Sequence, residues 1–217
     1  MFDFHVHTCL SDSKMTPSTA IRGAKLAGYR GIALTDHADH ATMAAIIPQV
    51  LRIIRSYSLH AGIEVFAGVE LTHVPPALIP DAIAEARALG AQLVLVHGEA
   101  IGDFVEQGTN LAAIEGRADI LAHPGLITDQ DAAYAAERKI LLEITTRPRN
   151  ALANGHVAAT ARRHSAPCII NNDAHTHTEF VSPEIRRAVA LGAACTPAEY
   201  AQMEANSRAL YQKLLKL

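Results

Sequence analysis

Seven short apolar runs recur along this chain, each followed by a longer alanine-rich stretch with apolar residues at helical spacing. The runs are "FDFHVH" (2–7), "GIALTDH" (31–37), "VFAGVEL" (65–71), "AQLVLVHGE" (91–99), "ADILAHPG" (118–125), "ILLEITT" (140–146) and "PCIINNDAH" (167–175). Runs this short and this continuously apolar suit strands buried on both faces, which means a parallel sheet covered by helices. The helical stretches carry their own punctuation. "TPSTAIRGAKLAG" has Pro17 near its start and Gly28 at its end, and Gly90 closes "PDAIAEARALG". A long helix is expected across residues 41–60 and a weaker, irregular one up to about residue 116. Others are expected at "DQDAAYAAERK", "NGHVAATARRHS" and "SPEIRRAVALG". A last helix near 197–216 closes the barrel bottom or, alternatively, forms a dimer face. Seven β-then-α units in 217 residues predict an α/β fold, a distorted (β/α)7 TIM-like barrel in a single domain, 1–217. An open doubly wound sheet is the alternative.

The polar residues fall on this scheme in a pattern. Twelve histidines are present. His5 and His7 lie two apart on the first run, so a strand sends both to one side. His37 ends the second run, Glu70 the third, His97 the fourth and His123 the fifth, and Asp173 and His175 end the seventh; Asp12 follows the first. In a parallel barrel all these ends lie on one rim, where the βα-loops build sites. His60, His156 and His164 lie instead on helical stretches. Any one of these residues is explained by a satisfied histidine near the core. Together, without an ion, they would leave buried charges and unpaired polar atoms, and a metal cluster removes that conflict.

The segments "HVHTCLSD", "TDH", "GVE", "VHG", "AHPG" and "NDAH" resemble the motifs of the PHP family, named for polymerase and histidinol phosphatase. The resemblance spans residues 5–175 and leaves no expected ligand position substituted. It implies three divalent ions: one held by His5, His7, Glu70 and Asp173, a second by Glu70, His97 and His123, and a third by Asp12, His37 and His175. Donors of imidazole and carboxylate without thiolate suit zinc, iron or manganese.

Three divalent cations outweigh the charge of Asp12, Glu70 and Asp173, so the site favours an anionic ligand. Two ions ~3.5–4 Å apart can clamp the attacking and leaving oxygens of a phosphoryl group. The expected activity is therefore hydrolysis of a small phosphate monoester, in the manner of a histidinol phosphatase. The nucleophile is a metal-bound hydroxide, and Glu70, Asp173 and His175 are the catalytic candidates. A phosphodiesterase or exonuclease acting on nucleotides is the alternative. An amidohydrolase-type C–N hydrolase and a non-enzymatic metal-dependent module are weaker ones. Arg147 in "EITTRPRN" is a candidate for holding substrate phosphate, with a solvated surface arginine as the other reading. Arg149 and Asn150 extend that idea. His177 is a candidate for the substrate side of the site or a solvated loop residue, and His40 and His73 are left equally open. Asp36 orients a ligand or makes a cap or loop contact. Cys9 is read as packing.

The net charge of −3 and the absence of a Lys/Arg run predict neither a long nucleic acid nor a membrane surface as partner. Aromatic residues make up only 5%, with no basic, aromatic-rich stripe, so the expected partner is a small anionic phosphate substrate. Three widely spaced cysteines (Cys9, Cys168, Cys195) suit a reducing compartment, and no leader or membrane-length apolar run is evident, so a cytoplasmic location is expected. Oligomeric state is not legible in the sequence.

Overall fold

The computed structural model describes residues 1–57 and 59–217. All seven apolar runs form strands: β1 (Phe2–Val6), β2 (Gly31–Leu34), β4 (Glu64–Leu71), β5 (Leu93–His97), β6 (Ile120–Ala122), β7 (Leu141–Thr145) and β8 (Cys168–Asn171). They pair in parallel in the order β1-β2-β4-β5-β6-β7-β8, and a two-residue β3 (His37–Ala38) continues the line of β2 against β4. The ring nearly closes. Between β8 and β1, among the described residues, only Val6 and Ala174 form a bridge. The rest of the seam is made by side chains: Asp3 accepts from Asn172 N at 3.1 Å and Nδ2 at 2.6 Å, and Phe4 N donates to Asn171 Oδ1 at 3.1 Å. The barrel, not the open sheet, is the fold.

The helices stand where the sequence punctuation places them. α1 (Pro17–Leu26), α7 (Pro183–Gly192) and α8 (Pro197–Leu214) each start with a Thr-Pro or Ser-Pro pair. In each, the hydroxyl accepts a backbone N–H of the first turn, while proline takes a position whose N–H has no helical partner. α2 (Met43–Tyr57) occupies most of the expected 41–60 stretch, of which Ser58 lies outside the described residues. α3 (Ile79–Ala88), the short α4 (Thr109–Glu115), α5 (Asp129–Arg138) and α6 (Asn154–His164) complete the outer ring.

Strand alternation sorts the core into two shells. Ile32, Leu34, Val69, Val94, Val96, Leu142 and Ile170 face the helices. Phe2, Phe4, Ala33, Phe66, Leu93, Leu95, Ile120 and Ile169 fill the barrel. α8 inserts Leu210 and Leu214 into that interior shell, and Tyr211 stacks on Phe2 at 4.2 Å. The last helix therefore closes the bottom of the barrel. Each large apolar side chain so buried contributes about 1.5–3 kcal/mol. With the lower half filled, the inward positions above it turn polar.

One irregularity aims the first strand at that polar half. Asp3 pairs with Ile32 but Val6 with Leu34, so Phe4 and His5 together oppose Ala33. This β-bulge shifts the alternation by one residue. Phe2 and Phe4 point inward below it, and His5 and His7 point inward above it. Regular pairing would send His5 and His7 toward the helices.

Candidate metal centre

Glu70, the last inward residue of β4, sits fully buried at the centre of the polar half. Five imidazoles surround it. His5 Nε2 lies 3.3 Å from Oε1, His97 Nδ1 3.2 Å and His123 Nε2 3.4 Å, while His37 Nδ1 lies 2.8 Å and His7 Nε2 3.5 Å from Oε2. Asp173 is the second anionic hub, with His7 Nε2 at 3.2 Å, His5 Nε2 at 3.7 Å and His175 Nδ1 at 3.4 Å. Asp12 completes the set, 3.2 Å from His175 Nε2 and 3.8 Å from His37 Nε2. All nine residues singled out in the sequence meet here.

Their potential ligand atoms fall into overlapping groups, each within 4.8 Å: His5, His7 and Glu70; His5, His123 and Asp173; His37, Glu70 and His97; and His7, Asp12, His37 and His175. The first of these holds three of the four residues of one expected set, and the last holds the whole of another together with His7. His123 groups with His5 and Asp173 rather than with His97, and His37 joins His97 on Glu70.

The donors fit a metal ion by their own chemistry. Among the described residues, His5 Nε2, His7 Nε2, His123 Nε2 and Glu70 Oε2 are buried and have no hydrogen-bond partner. An orphaned buried polar atom costs about 1–3 kcal/mol, which makes four around one point improbable without a ligand. Several of the nitrogen-to-oxygen separations are too long for good hydrogen bonds. They match the roughly 3.3 Å between two ligands of one tetrahedral ion at about 2.0–2.1 Å.

Without an ion, protons balance the carboxylates. Burial alone would lower the pKa of His5, but Glu143, Glu70 and Asp173 outweigh it and hold the ring well above its ordinary value. Burial likewise opposes protonation of His37 and His97, and Glu70 overcomes it in both. Burial and the neighbouring His37 push His7 down to about 3. Burial would raise the carboxyls of Glu70 and Asp173; His5 and its neighbours hold both well below the usual range.

A second ring of residues orients the first. Glu143, buried on β7, accepts from His5 Nδ1 at 2.9 Å and Asn171 Nδ2 at 2.9 Å through Oε1, and from His123 N at 3.1 Å through Oε2. That contact leaves His5 Nε2 aimed at the centre, the arrangement that fixes the tautomer of a ligating histidine. Asp103 faces His97 Nε2 at 3.2 Å, and Asn150 Nδ2 donates to Asp173 Oδ2 at 2.7 Å. Asp36 accepts from Thr8 N, Thr8 Oγ1 and Ser11 Oγ at 2.6–2.8 Å, pinning the loop that carries Asp12. Asp36 is thus a loop contact that holds the segment bearing Asp12. Glu143 and Asp103 were not singled out in the sequence. Glu143 has a visible signal, as the one charged residue of "ILLEITT"; Asp103 has none, lying in an irregular loop.

Arg147 reaches the rim, where Nη1 donates to Asp173 O at 3.0 Å and lies 2.7 Å from His175 Nδ1. With Arg149 and Asn150 it lines one lip of the mouth, and His73 and Phe104 line the other. His177 is exposed, packs its Cβ toward Gly23 of α1 and does not line the mouth. His40 is exposed and also off the mouth. Cys9 follows the end of β1 and is exposed, so it does not pack as expected. His123 and Asp173 both have positive φ, 28° and 54°, a conformation costing a residue with a side chain about 1–3 kcal/mol that clusters at functional sites.

A family model described as PHP domain matches residues 3–143, which leaves Asp173 and His175 beyond the matched segment but on the same rim. An uncharacterized protein of Methanocaldococcus jannaschii is 40% identical over 91% of this chain and 92% of its own length. Ribonuclease P protein component 3 of Methanosarcina barkeri is 31% identical over 68% of this chain, which spans 57% of that protein. A chain in a cryo-EM structure of archaeal ribonuclease P with mature tRNA superposes with a TM-score of 0.73 at 18% identity, covering 99% of this chain and 91% of that one, a likeness of fold. Among the described residues no helix is long and apolar enough to cross a membrane.

These relatives correct the expectation that the partner is a small phosphate and that long nucleic acid is excluded. That expectation rested on whole-chain charge and on the lack of a basic stripe, and neither quantity records what folding gathers. Arg87, Arg117, Arg138, Lys139 and Lys213, from separate segments, line one hollow at the barrel bottom despite the net charge of −3.

Proposed function

Because the chain belongs to the PHP domain family, we propose that it is a metal-dependent phosphoesterase. The observation that supports this best is the set of buried, unpartnered nitrogen and oxygen atoms converging between Glu70 and Asp173. His5, His7, Asp12, His37, Glu70, His97, His123, Asp173 and His175 would hold the ions, three in number, with zinc, iron and manganese all compatible with these donors. When bound, the ions would supply Lewis acidity toward a phosphoryl group and make a water acidic enough to act as nucleophile near neutral pH.

The chain's own residues supply position and charge. Glu143 holds His5 and the His123 backbone in place. Arg147, anchored on the Asp173 carbonyl at the rim, presents its guanidinium to phosphoryl oxygens entering the mouth. Glu179 accepts from His175 N at 2.6 Å and keeps that segment against the rim. The test is elemental analysis beside turnover of p-nitrophenyl phosphate and bis(p-nitrophenyl) phosphate, before and after chelation. About three divalent ions per chain, with turnover lost on chelation and regained on adding metal, are expected. No turnover of either ester at any metal loading would sink the proposal.

A second reading, a protein part of an RNA-containing assembly without turnover of its own, is favoured by the relative named as a ribonuclease P component. Co-purification with RNA and an absence of turnover in the same assay would select it.

A further inference from the structure

The ligands of the centre account for the floor of the mouth but not for its lip. Phe104 is 82% exposed, in the loop between β5 and α4. Its ring lies nearly parallel to that of His73, with centroids 4.1 Å apart and 14° between planes. His73 in turn lies 5.8 Å from the ring of His97, which faces Glu70. Two ring-to-ring steps therefore lead from a ligand of the centre to an aromatic face open to water. Neither ring is placed by chance packing: His73 holds a positive φ of 54°, a conformation uncommon in residues with a side chain. Phe104 N is tied to Asp103 Oδ1 at 2.8 Å, and Asp103 also faces His97.

The two lips differ in charge. Arg147 and Arg149 stand on one side, while the carboxylate of Asp103 stands beside the aromatic pair on the other. A ligand that suits both is anionic at one end and presents a flat face without negative charge at the other. The space between, about 490 Å³, is in the range of pockets that take a small molecule, about 300–1,000 Å³. The geometry points to a nucleobase stacked on Phe104 while the phosphate of the same nucleotide lies between Arg147 and the centre. The substrate class is then the terminal nucleotide of an RNA strand rather than a bare sugar phosphate. This rests on the phosphoesterase reading and adds Phe104, backed by His73, as the group that holds the base. Stacking on an aromatic ring tolerates every base, because each has a π-face, so the platform recognises nucleotides without reading sequence.

The test compares two probes that differ by the base alone, on the metal-replete protein. Quenching of 2-aminopurine riboside 5′-monophosphate fluorescence reads stacking directly, in stopped flow before any turnover, and calorimetry reads ribose 5-phosphate. The wild type is expected to quench the fluorescent nucleotide and to bind it more tightly than ribose 5-phosphate. Phe104→Ala is expected to weaken the nucleotide by about 5- to 150-fold, the worth of one base on one ring. The same variant should bind ribose 5-phosphate as the wild type does, and Phe104→Trp should restore the quench. Equal affinity of the wild type for both probes would overturn the base platform and leave the phosphoesterase reading standing. So would an equal loss of both probes in Phe104→Ala, or no loss of either. Failure of the wild type to bind either probe would overturn both.

Discussion

Replacing Glu143 with glutamine probes how the centre is held in register. The carboxylate is fully buried and accepts three bonds: from His5 Nδ1 and Asn171 Nδ2 through Oε1, and from His123 N through Oε2. Glutamine keeps the shape but offers one acceptor oxygen and one NH₂ group. If its oxygen stays with His5 and Asn171, its NH₂ faces the His123 N–H, and a buried backbone donor loses its partner. That loss costs about 1–3 kcal/mol. In a chain of this length each kcal/mol lowers Tm by roughly 2–4 °C. The second effect is separate. His5 loses the charge that fixes its orientation and raises its basicity, and losses of this kind weaken metal binding by about 10–100-fold. Competition with a chromophoric chelator near neutral pH measures the affinity, and thermal unfolding of the chelated protein measures the stability. A lower Tm with metal affinity changed by less than about tenfold would refute the argument, because Glu143 would then be a packing residue and not an orienting one.

The pH dependence of the chelated protein follows from the same ring of charges. His5, His37 and His97 have pKa values raised above the ordinary 6.5, so their contribution to stability is complete below 6.5 and is lost as pH rises through the raised values. The Tm of chelated protein should fall from pH 6.5 upward, metal should remove that fall, and metal binding should release protons; a flat Tm in the chelated protein would contradict this. Gly125→Ala should cost on the order of 3 kcal/mol, because Gly125 has φ +62° and an added Cβ would overlap the Glu99 carbonyl oxygen; a Tm near that of the wild type would show that the loop can move aside. Arg186, fully buried, donates to Glu204 Oε1 at 2.8 Å and to Ile170 O on β8. Arg186→Ala should cost about 3–5 kcal/mol in urea unfolding by stranding Glu204, and the double substitution Arg186→Met with Glu204→Leu far less; equal losses would show that the cavity, not the charge, dominates.

Much of this protein is legible in its sequence because local rules write it there. Strand runs, Thr-Pro and Ser-Pro helix starts and the ending of strands in histidine, glutamate or aspartate depend on backbone sterics, capping and period, each of which acts over a few residues. Position on a parallel barrel then follows from topology, which is why His37, Glu70, His97, His123 and Asp173 could be expected on one rim before any distance was known. What the tertiary structure alone decided is of longer range. The bulge that turns His5 and His7 inward arises from the pairing of β1 with β2. Glu143 reaches His5 across 138 positions of sequence, and Phe104 meets His73 from a different loop. The basic hollow at the barrel bottom is assembled from four separate segments, where the summed charge showed only a mild excess of acid. Periodicity determines which way a side chain points along its own element. Only closure of the ring determines what it meets there, because a contact between distant residues depends on every strand between them taking its register.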